Sequence, residues 1–164
     1  MDEKDINITE TAEEVLETLL NMMGVMASVE LCDEPFDEKD VKATAPISFN
    51  IEGDDLGILI GRRGQTLSCL QYIARLIVTC QTGTWVPIII DVEGYKQRRY
   101  EALQSLALRM EEQVKAKGTP FDLEPMSAYE RRIVHITLAD SPDVTTRSMG
   151  EGEYRKVVIL PKGQ

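Results

Sequence analysis

This 164-residue chain has one histidine, three cysteines and few aromatic side chains, and each shortage excludes a class of protein. A single histidine excludes a metal site built mainly on imidazoles. The three cysteines form no C-x-x-C pair, and any disulfide scheme would leave one thiol unpaired, which indicates a reduced protein. They are Cys32, Cys69 and Cys80. Because aromatic residues are 5% of the chain, we expect only limited stacking on other flat groups.

Long hydrophobic runs are also missing. No apolar stretch approaches the ~20 residues that a membrane-spanning helix needs. The acidic first residues do not follow the basic-then-apolar layout of a signal peptide. We therefore expect no membrane insertion and a cytoplasmic location.

Positive charge is scarce and unevenly placed. The net charge is −10, whereas non-specific affinity for nucleic acid comes mainly from neutralised phosphates. Residues 1–40 contain 13 acids and two bases, but residues 57–100 contain six bases and two acids. A broad positive surface is therefore excluded, and the second block is the predicted place for an anionic partner.

Hydrophobic spacing predicts the order helix, strand, strand, helix, helix, strand in the first part of the chain. Apolar residues recur every three or four positions over 9–23, which indicates a helix, and strands are predicted at 27–32 and 46–52 with a loop at 33–40. Helices at 56–60 and 65–79 and a strand at 85–92 follow. Three methionines are interpreted as core filler: Met22, Met23 and Met26.

The second part begins with a long predicted helix at 94–118, interpreted as a linker between domains 1–93 and 119–164. An extended piece at 121–125 and a helix at 127–138 follow. Ser127 and Glu130 have the spacing of a capping box. Strands at 144–148 and 155–160 are predicted to pair as a hairpin around Gly150 and Gly152.

Two glycines flank two arginines in the basic block, between a predicted short helix and a longer one. Glycine lets a ligand approach the backbone, and the N-terminus of the next helix favours a phosphate. The arginines can hold phosphates through charged hydrogen bonds. An isolated G-x-x-G is equally a plain tight turn. The four residues are Gly61, Arg62, Arg63 and Gly64.

A second constellation lies on the helix at 127–138, where Arg131 and His135 are four residues apart and share a face. A nucleophile–His–acid triad would have to use this one imidazole. The candidate nucleophiles would be Ser127, Ser141 and Ser148. None lies in a recognisable elbow, so no catalytic residue is predicted. The plain alternative is a structural histidine bonded to Asp140 or to a backbone carbonyl.

Residues 9–93, above all the run from Ile58 to Leu67, closely resemble a KH domain of the bacterial type II arrangement. In that family the G-x-x-G loop clamps about four nucleotides of single-stranded RNA. The resemblance implies that residues 61–64 hold phosphates. It also implies that Ile58 and Ile60 line the base groove, although both could simply be core.

Residues 125–135, with 143–152, resemble the R-three-H domain, which is defined by Arg-x-x-x-His and binds single-stranded nucleic acid. The resemblance implies that Arg131 faces a phosphate and that His135 is a second hydrogen-bonding or stacking group. Arg132 points about 100° away from Arg131. Arg147 would add to the surface or form a cross-strand ion pair.

A KH domain followed through a helix by an R-three-H domain resembles the Jag family of bacterial RNA-binding proteins, also called KhpB or SpoIIIJ-associated. The resemblance implies an α+β fold in which a type II KH domain is joined to a small α/β R-three-H domain. It implies a non-enzymatic regulator or RNA chaperone without metal or cofactor, acting near cell-shape control and, in some bacteria, sporulation. The implied partners are single-stranded RNA, with single-stranded DNA as an alternative, and a second copy or a second small KH protein.

Many Jag proteins carry a separate basic N-terminal domain that has no counterpart in these residues, so functions of that domain are not expected here. The alternative function is a protein-interaction or dimerisation module with secondary nucleic-acid binding, which the acidic first 40 residues favour.

Overall fold

The computed structural model describes residues 3–32 and 46–162, and the chain divides into two compact units, Met1–Tyr95 and Lys96–Gln164. The predicted loop at 33–40 lies outside the described residues. Within the described part, no helix is long and apolar enough to cross a membrane. The fold is α+β, as predicted.

The first unit has the predicted order of elements. They are α1 (Glu3–Met22), β1 (Ala27–Cys32), β2 (Ile47–Gly53), α2 (Gly57–Ile60), α3 (Gln65–Thr82) and β3 (Ile88–Val92). Helix α1 begins six residues earlier than the predicted start at residue 9. Strand β3 begins three residues later than predicted, so Trp85 precedes it.

A three-stranded sheet in the order β1-β2-β3 carries the first unit. Strand β1 is antiparallel to β2, and β2 is parallel to β3. The buried stripes of α1 and α3 pack against each other and on the sheet, where Ala12 and Ala74 are fully buried. Because alanine is small, the two helices can approach closely at these positions and bring Phe49 and Ile51 into a continuous core.

The interpretation of the methionines as core filler is wrong. Met22 and Met26 are 81% and 91% exposed, and Met23 is 44% exposed. They lie at the end of α1 and in the turn that follows, beyond the last buried position of the helix, Leu20. The buried stripe of the helix therefore stops at Leu20, before all three methionines.

The second unit begins with a long helix and continues with a small sheet and a second helix. Its elements are α4 (Tyr95–Lys117), β4 (Phe121–Asp122), α5 (Ala128–Thr137), β5 (Val144–Met149) and β6 (Lys156–Pro161). The sheet has the order β4-β6-β5 and is antiparallel throughout. The predicted hairpin forms, with a short 3-10 turn at Gly152–Tyr154 before β6.

Helix α4 supplies a substantial part of the second unit's core. Ala107, Met110 and Val114 line its buried face and pack with Val134 of α5 and Ile159 of β6. Glycine at 118 ends the helix, and its N–H bonds the Val114 carbonyl at 2.8 Å. The helix that the sequence presents as a connector is therefore also a packing layer.

Candidate nucleic-acid interface

The glycine loop forms a sharp corner between α2 and α3. Helix α2 ends at Ile60, Gly61 adopts φ 67° and ψ −170°, and a 3-10 turn spans Arg62–Gly64. Gly64 is left-handed, with φ 75°, and α3 starts at the next residue. Two backbone reversals within four residues present the arginines at the tip of the corner.

Each glycine is required for a different reason. A Cβ at Gly61 would overlap the Thr66 hydroxyl and lie 2.7 Å from Thr66 Cβ. The combination of φ and ψ at Gly61 is also one that only glycine readily adopts. A Cβ at Gly64 would lie 3.0 Å from the ring of Tyr95, which packs beneath the loop.

The two arginines differ in their settings. Arg62 is exposed, whereas Arg63 is half-buried and has a positive φ of 55°. The first turn of α3 has no side-chain hydrogen bond from its N-cap, Gly64. The positive end of the helix dipole and an exposed guanidinium therefore lie at the same corner, which is an arrangement suited to a phosphate.

The two isoleucines of α2 have different environments. Ile58 is 66% exposed, whereas Ile60 is half-buried and packs against the core of the first unit. Leu59, between them, is fully buried. Of the two predicted groove residues, Ile58 is the one that presents an apolar surface beside the loop.

In the second unit a capping box fixes the start of α5. The Ser127 hydroxyl accepts a hydrogen bond from the Glu130 N–H at 3.2 Å, and a Glu130 carboxylate oxygen accepts one from the Ser127 N–H at 3.0 Å. The other Glu130 oxygen accepts from Arg99 Nε of α4 at 2.7 Å. The predicted capping box is confirmed, and the helix that carries Arg131 and His135 starts at a fixed position.

Arg131 and His135 lie on one flank of α5, and both contact the protein itself. Arg131 Nη1 donates to the Met126 carbonyl at 2.9 Å. His135 Nδ1 is 2.7 Å from Thr146 Oγ1 and Nε2 is 2.9 Å from Ser148 Oγ. The imidazole therefore connects α5 to β5.

Burial lowers the pKa of His135 from its usual value, and the nearby Arg131 charge lowers it further. The neutral ring can accept from one hydroxyl and donate to the other, so both contacts are satisfied without a charge. The contact between Nε2 and Ser148 Oγ is of the kind that a Ser–His–acid triad uses. The other ring nitrogen of such a triad contacts a carboxylate, whereas here it contacts the hydroxyl of Thr146, so these three residues do not form a triad.

The remaining basic candidates of this unit lie elsewhere. Arg132 is exposed. On β5, Thr146 and Ser148 are half-buried beside His135, whereas Arg147 points to the opposite face and is exposed. Arg147 therefore does not extend the flank formed by Arg131 and His135.

Sequence reasoning named Ser148 only as a candidate nucleophile for His135, and it missed Thr146 as a partner. Their positions on alternate residues of β5 give them the same face of the strand, and this spacing is visible in the sequence. Which face meets α5 depends on packing, and the structural partner predicted for His135 was instead Asp140 or a backbone carbonyl. Asp140 is exposed and lies beyond the end of the helix.

Two family models match this chain. Residues 10–90 match the family described as KhpA/KhpB, KH domain, and residues 101–161 match the R-three-H domain. The chain is 38% identical to an RNA-binding protein KhpB of Clostridium symbiosum over 144 residues, which cover 82% of this chain and 65% of the relative. The chain belongs to the KhpB family.

Two further KhpB proteins match the chain at lower identity. The RNA-binding protein KhpB of Bacillus subtilis (strain 168) is 37% identical over 118 residues, which cover 71% of this chain and 57% of the relative. The protein of the same name from Streptococcus pneumoniae serotype 2 is 30% identical over 130 residues, which cover 75% and 40%. The chain thus spans less than two thirds of the length of these KhpB proteins.

Proposed function

We propose that this KhpB-family chain binds single-stranded RNA without catalysing a reaction on it. The observation that carries the proposal is the corner at residues 61–64, where glycine conformations place an exposed arginine at the N-terminus of α3. The KhpB relatives are named RNA-binding proteins, which supports the proposal. No cofactor takes part in the proposed binding, and single-stranded DNA is a weaker alternative ligand.

The glycine corner holds phosphates in this proposal. Arg62 contacts the backbone directly, and the N–H groups of the first turn of α3 add uncharged donors. Arg63, which is half-buried, contacts the backbone and also shapes the corner. The exposed Ile58 contacts a base beside the loop. Such contacts read mainly the backbone, so we expect little sequence preference.

The second surface is the flank of α5. A guanidinium has five N–H donors, and the bond to the Met126 carbonyl leaves Arg131 with others for a phosphate. His135, with both nitrogens engaged, acts by holding Thr146 and Ser148 beside Arg131. Two modest surfaces on one chain raise the effective concentration of each for a long RNA. We place the protein among post-transcriptional regulators or RNA chaperones.

Charge reversal at the corner tests the first surface. Arg62→Asp with Arg63→Asp should weaken binding of a labelled single-stranded oligonucleotide more than tenfold and lower the salt slope by roughly 1.4, or about 0.7 per lost phosphate. Arg109→Asp with Lys117→Asp, at exposed positions of α4, changes the net charge equally and is the matched control. If both double variants lose the same affinity in filter binding, general charge explains the loss and the corner has no specific role.

A second candidate function is pairing with another KH protein, which the outer face of α3 favours. Ile73 and Leu76 are each 46% exposed there, and Cys69 is exposed beside them. The match to the shared KhpA/KhpB KH family agrees with a second copy or a second small KH protein as partner. Light scattering of the wild type and of Leu76→Glu tests this. A monomer at all concentrations, alone and with a small KH protein, would remove it.

A further inference from the structure

Three side chains of the first unit form an exposed stack away from the glycine corner. Arg75 Cζ lies 5.7 Å from the centroid of the Tyr72 ring and 6.0 Å from that of the Trp85 ring. Tyr72 is 54% exposed and Trp85 is 56% exposed. Two large aromatic rings thus flank a guanidinium at the surface. Exposed apolar patches of this kind mark interaction sites, and this chain has few aromatic residues.

The local backbone fixes this stack in place. Tyr72 and Arg75 are three residues apart on α3 and so lie on one face. After α3 the chain turns back at Gly83, which is left-handed with φ 68°, and the Thr82 hydroxyl bonds the N–H of Thr84 at 3.3 Å. Val86, next to Trp85, is buried and anchors the start of the following strand. Trp85 is therefore held over Arg75 between a fixed turn and the core.

The charge of the stack favours an anionic ligand over a purely apolar one, and its two rings favour an anion that also has flat groups. Helix α3 contains no acidic residue. Among residues 3–32 and 46–162, no carboxylate pairs with Arg75, whose ring contacts leave its N–H edge available for a phosphate. Aromatic faces beside an arginine are the elements with which proteins hold unpaired bases and their backbone.

We infer that Tyr72, Arg75 and Trp85 form an additional contact for single-stranded RNA, in which unpaired bases stack on the two rings and Arg75 faces a phosphate. The inference rests on the proposed RNA binding and extends its footprint along α3. Arg75 lies about 15 Å along the helix axis from Gln65, at ~1.5 Å per residue. An RNA held at residues 61–64 would need roughly four more nucleotides to reach it, at ~3.4 Å or more per nucleotide.

The single tryptophan of the chain provides a direct measurement, since its emission comes from Trp85 alone. We expect a 12-nucleotide oligoadenylate to quench this emission with the same midpoint as the anisotropy of its fluorescein label. A tetranucleotide, which fills the glycine corner alone, should quench little at equal occupancy. Saturable anisotropy of the 12-mer without any change in Trp85 emission would refute the stacking contact and leave the proposed function standing.

Variants separate stacking from a merely structural role. Trp85→Ala should weaken binding of the 12-mer about tenfold, as expected for one stacked base, whereas Trp85→Phe, which keeps a flat ring, should restore most of the affinity. Leu108→Ala, at an exposed apolar position of α4 outside the proposed contacts, is the matched control and should bind normally. Equal affinity of Trp85→Ala and wild type would overturn the inference. A mass of Trp85→Ala in light scattering that differs from that of the wild type, at unchanged RNA affinity, would overturn it too. That result would assign the stack to a protein interface. Absence of 12-mer binding by the wild type would instead remove the proposed function itself.

Discussion

The conformation of Gly61 gives the most demanding prediction, because two costs add at one residue. Its φ of 67° with ψ of −170° lies in a region that strains any residue with a Cβ by about 1–3 kcal/mol. The added methyl would also lie 2.7 Å from Thr66 Cβ and 3.1 Å from the Thr66 backbone nitrogen, and overpacking costs about 1–3 kcal/mol. We expect Gly61→Ala to lower the free energy of unfolding of the first unit by about 3 kcal/mol.

Gly83→Ala is the matched control for this change. Gly83 has nearly the same φ, 68°, but an added Cβ would meet nothing within 4 Å. Its left-handed conformation alone costs about 1–2 kcal/mol, and the less flexible unfolded chain offsets about 0.4–1 kcal/mol of this. We therefore expect a loss of about 1 kcal/mol, and the difference of about 2 kcal/mol isolates the contribution of ψ and of Thr66.

Urea unfolding followed by Trp85 emission measures both variants, because this tryptophan belongs to the first unit. With m of about 1.5 kcal/mol/M, a difference of ~2 kcal/mol separates the two midpoints by about 1.3 M. Thr66→Ala combined with Gly61→Ala should recover part of the loss, since it removes the overlapping hydroxyl. Midpoints of the two glycine variants within about 0.3 M of each other would refute the reasoning.

Three further predictions concern the second unit. Ser127→Ala should cost about 1 kcal/mol, because it removes one half of the capping box, and far-ultraviolet circular dichroism in urea would measure it; no loss would mean that the cap is dispensable. Glu130→Ala should cost about 3 kcal/mol in the same assay, since Arg99 loses a largely buried partner as well, and a loss no larger than that of Ser127→Ala would contradict this. Because the pKa of His135 is lowered in the folded state, the unfolded state takes up a proton first as pH falls. The contribution of this residue to stability is therefore fully present above the unfolded pKa of ~6.5, and it is lost as pH falls from there through the folded pKa. His135→Gln should flatten this part of the stability–pH curve, and an unchanged slope between pH 7 and 5 would show that another group is responsible.

Local patterns in the sequence were sufficient for most of the fold. The helices of the first unit follow from apolar stripes such as Ala12–Leu16–Leu20, because a stripe at helical spacing has to be buried. The capping box at Ser127 follows from side-chain chemistry within one turn. The glycine corner follows in the same way, since two glycines around two arginines leave few regular structures open.

Properties that depend on distant parts of the chain were not available from these patterns. Met26 is apolar but lies beyond the reach of the buried stripe, so its exposure required the end of α1 to be known. The partners of His135 required the packing of α5 on β5. Trp85 was expected within a strand, and only the turn at Gly83 and the burial of Val86 bring it back over α3. In each case the missing information was three-dimensional placement and not residue chemistry.

The packing of α4 has a consequence for how this protein can be divided. A fragment 119–164 would contain the whole Arg-x-x-x-His helix and the small sheet, but Val134 and Ile159 would lose the apolar cover that Ala107 and Met110 give them. Glu130 would also be left without Arg99. A fragment beginning at residue 96 keeps both. We therefore expect a folded fragment that carries Arg131 to require α4, the helix that the sequence presents as a linker.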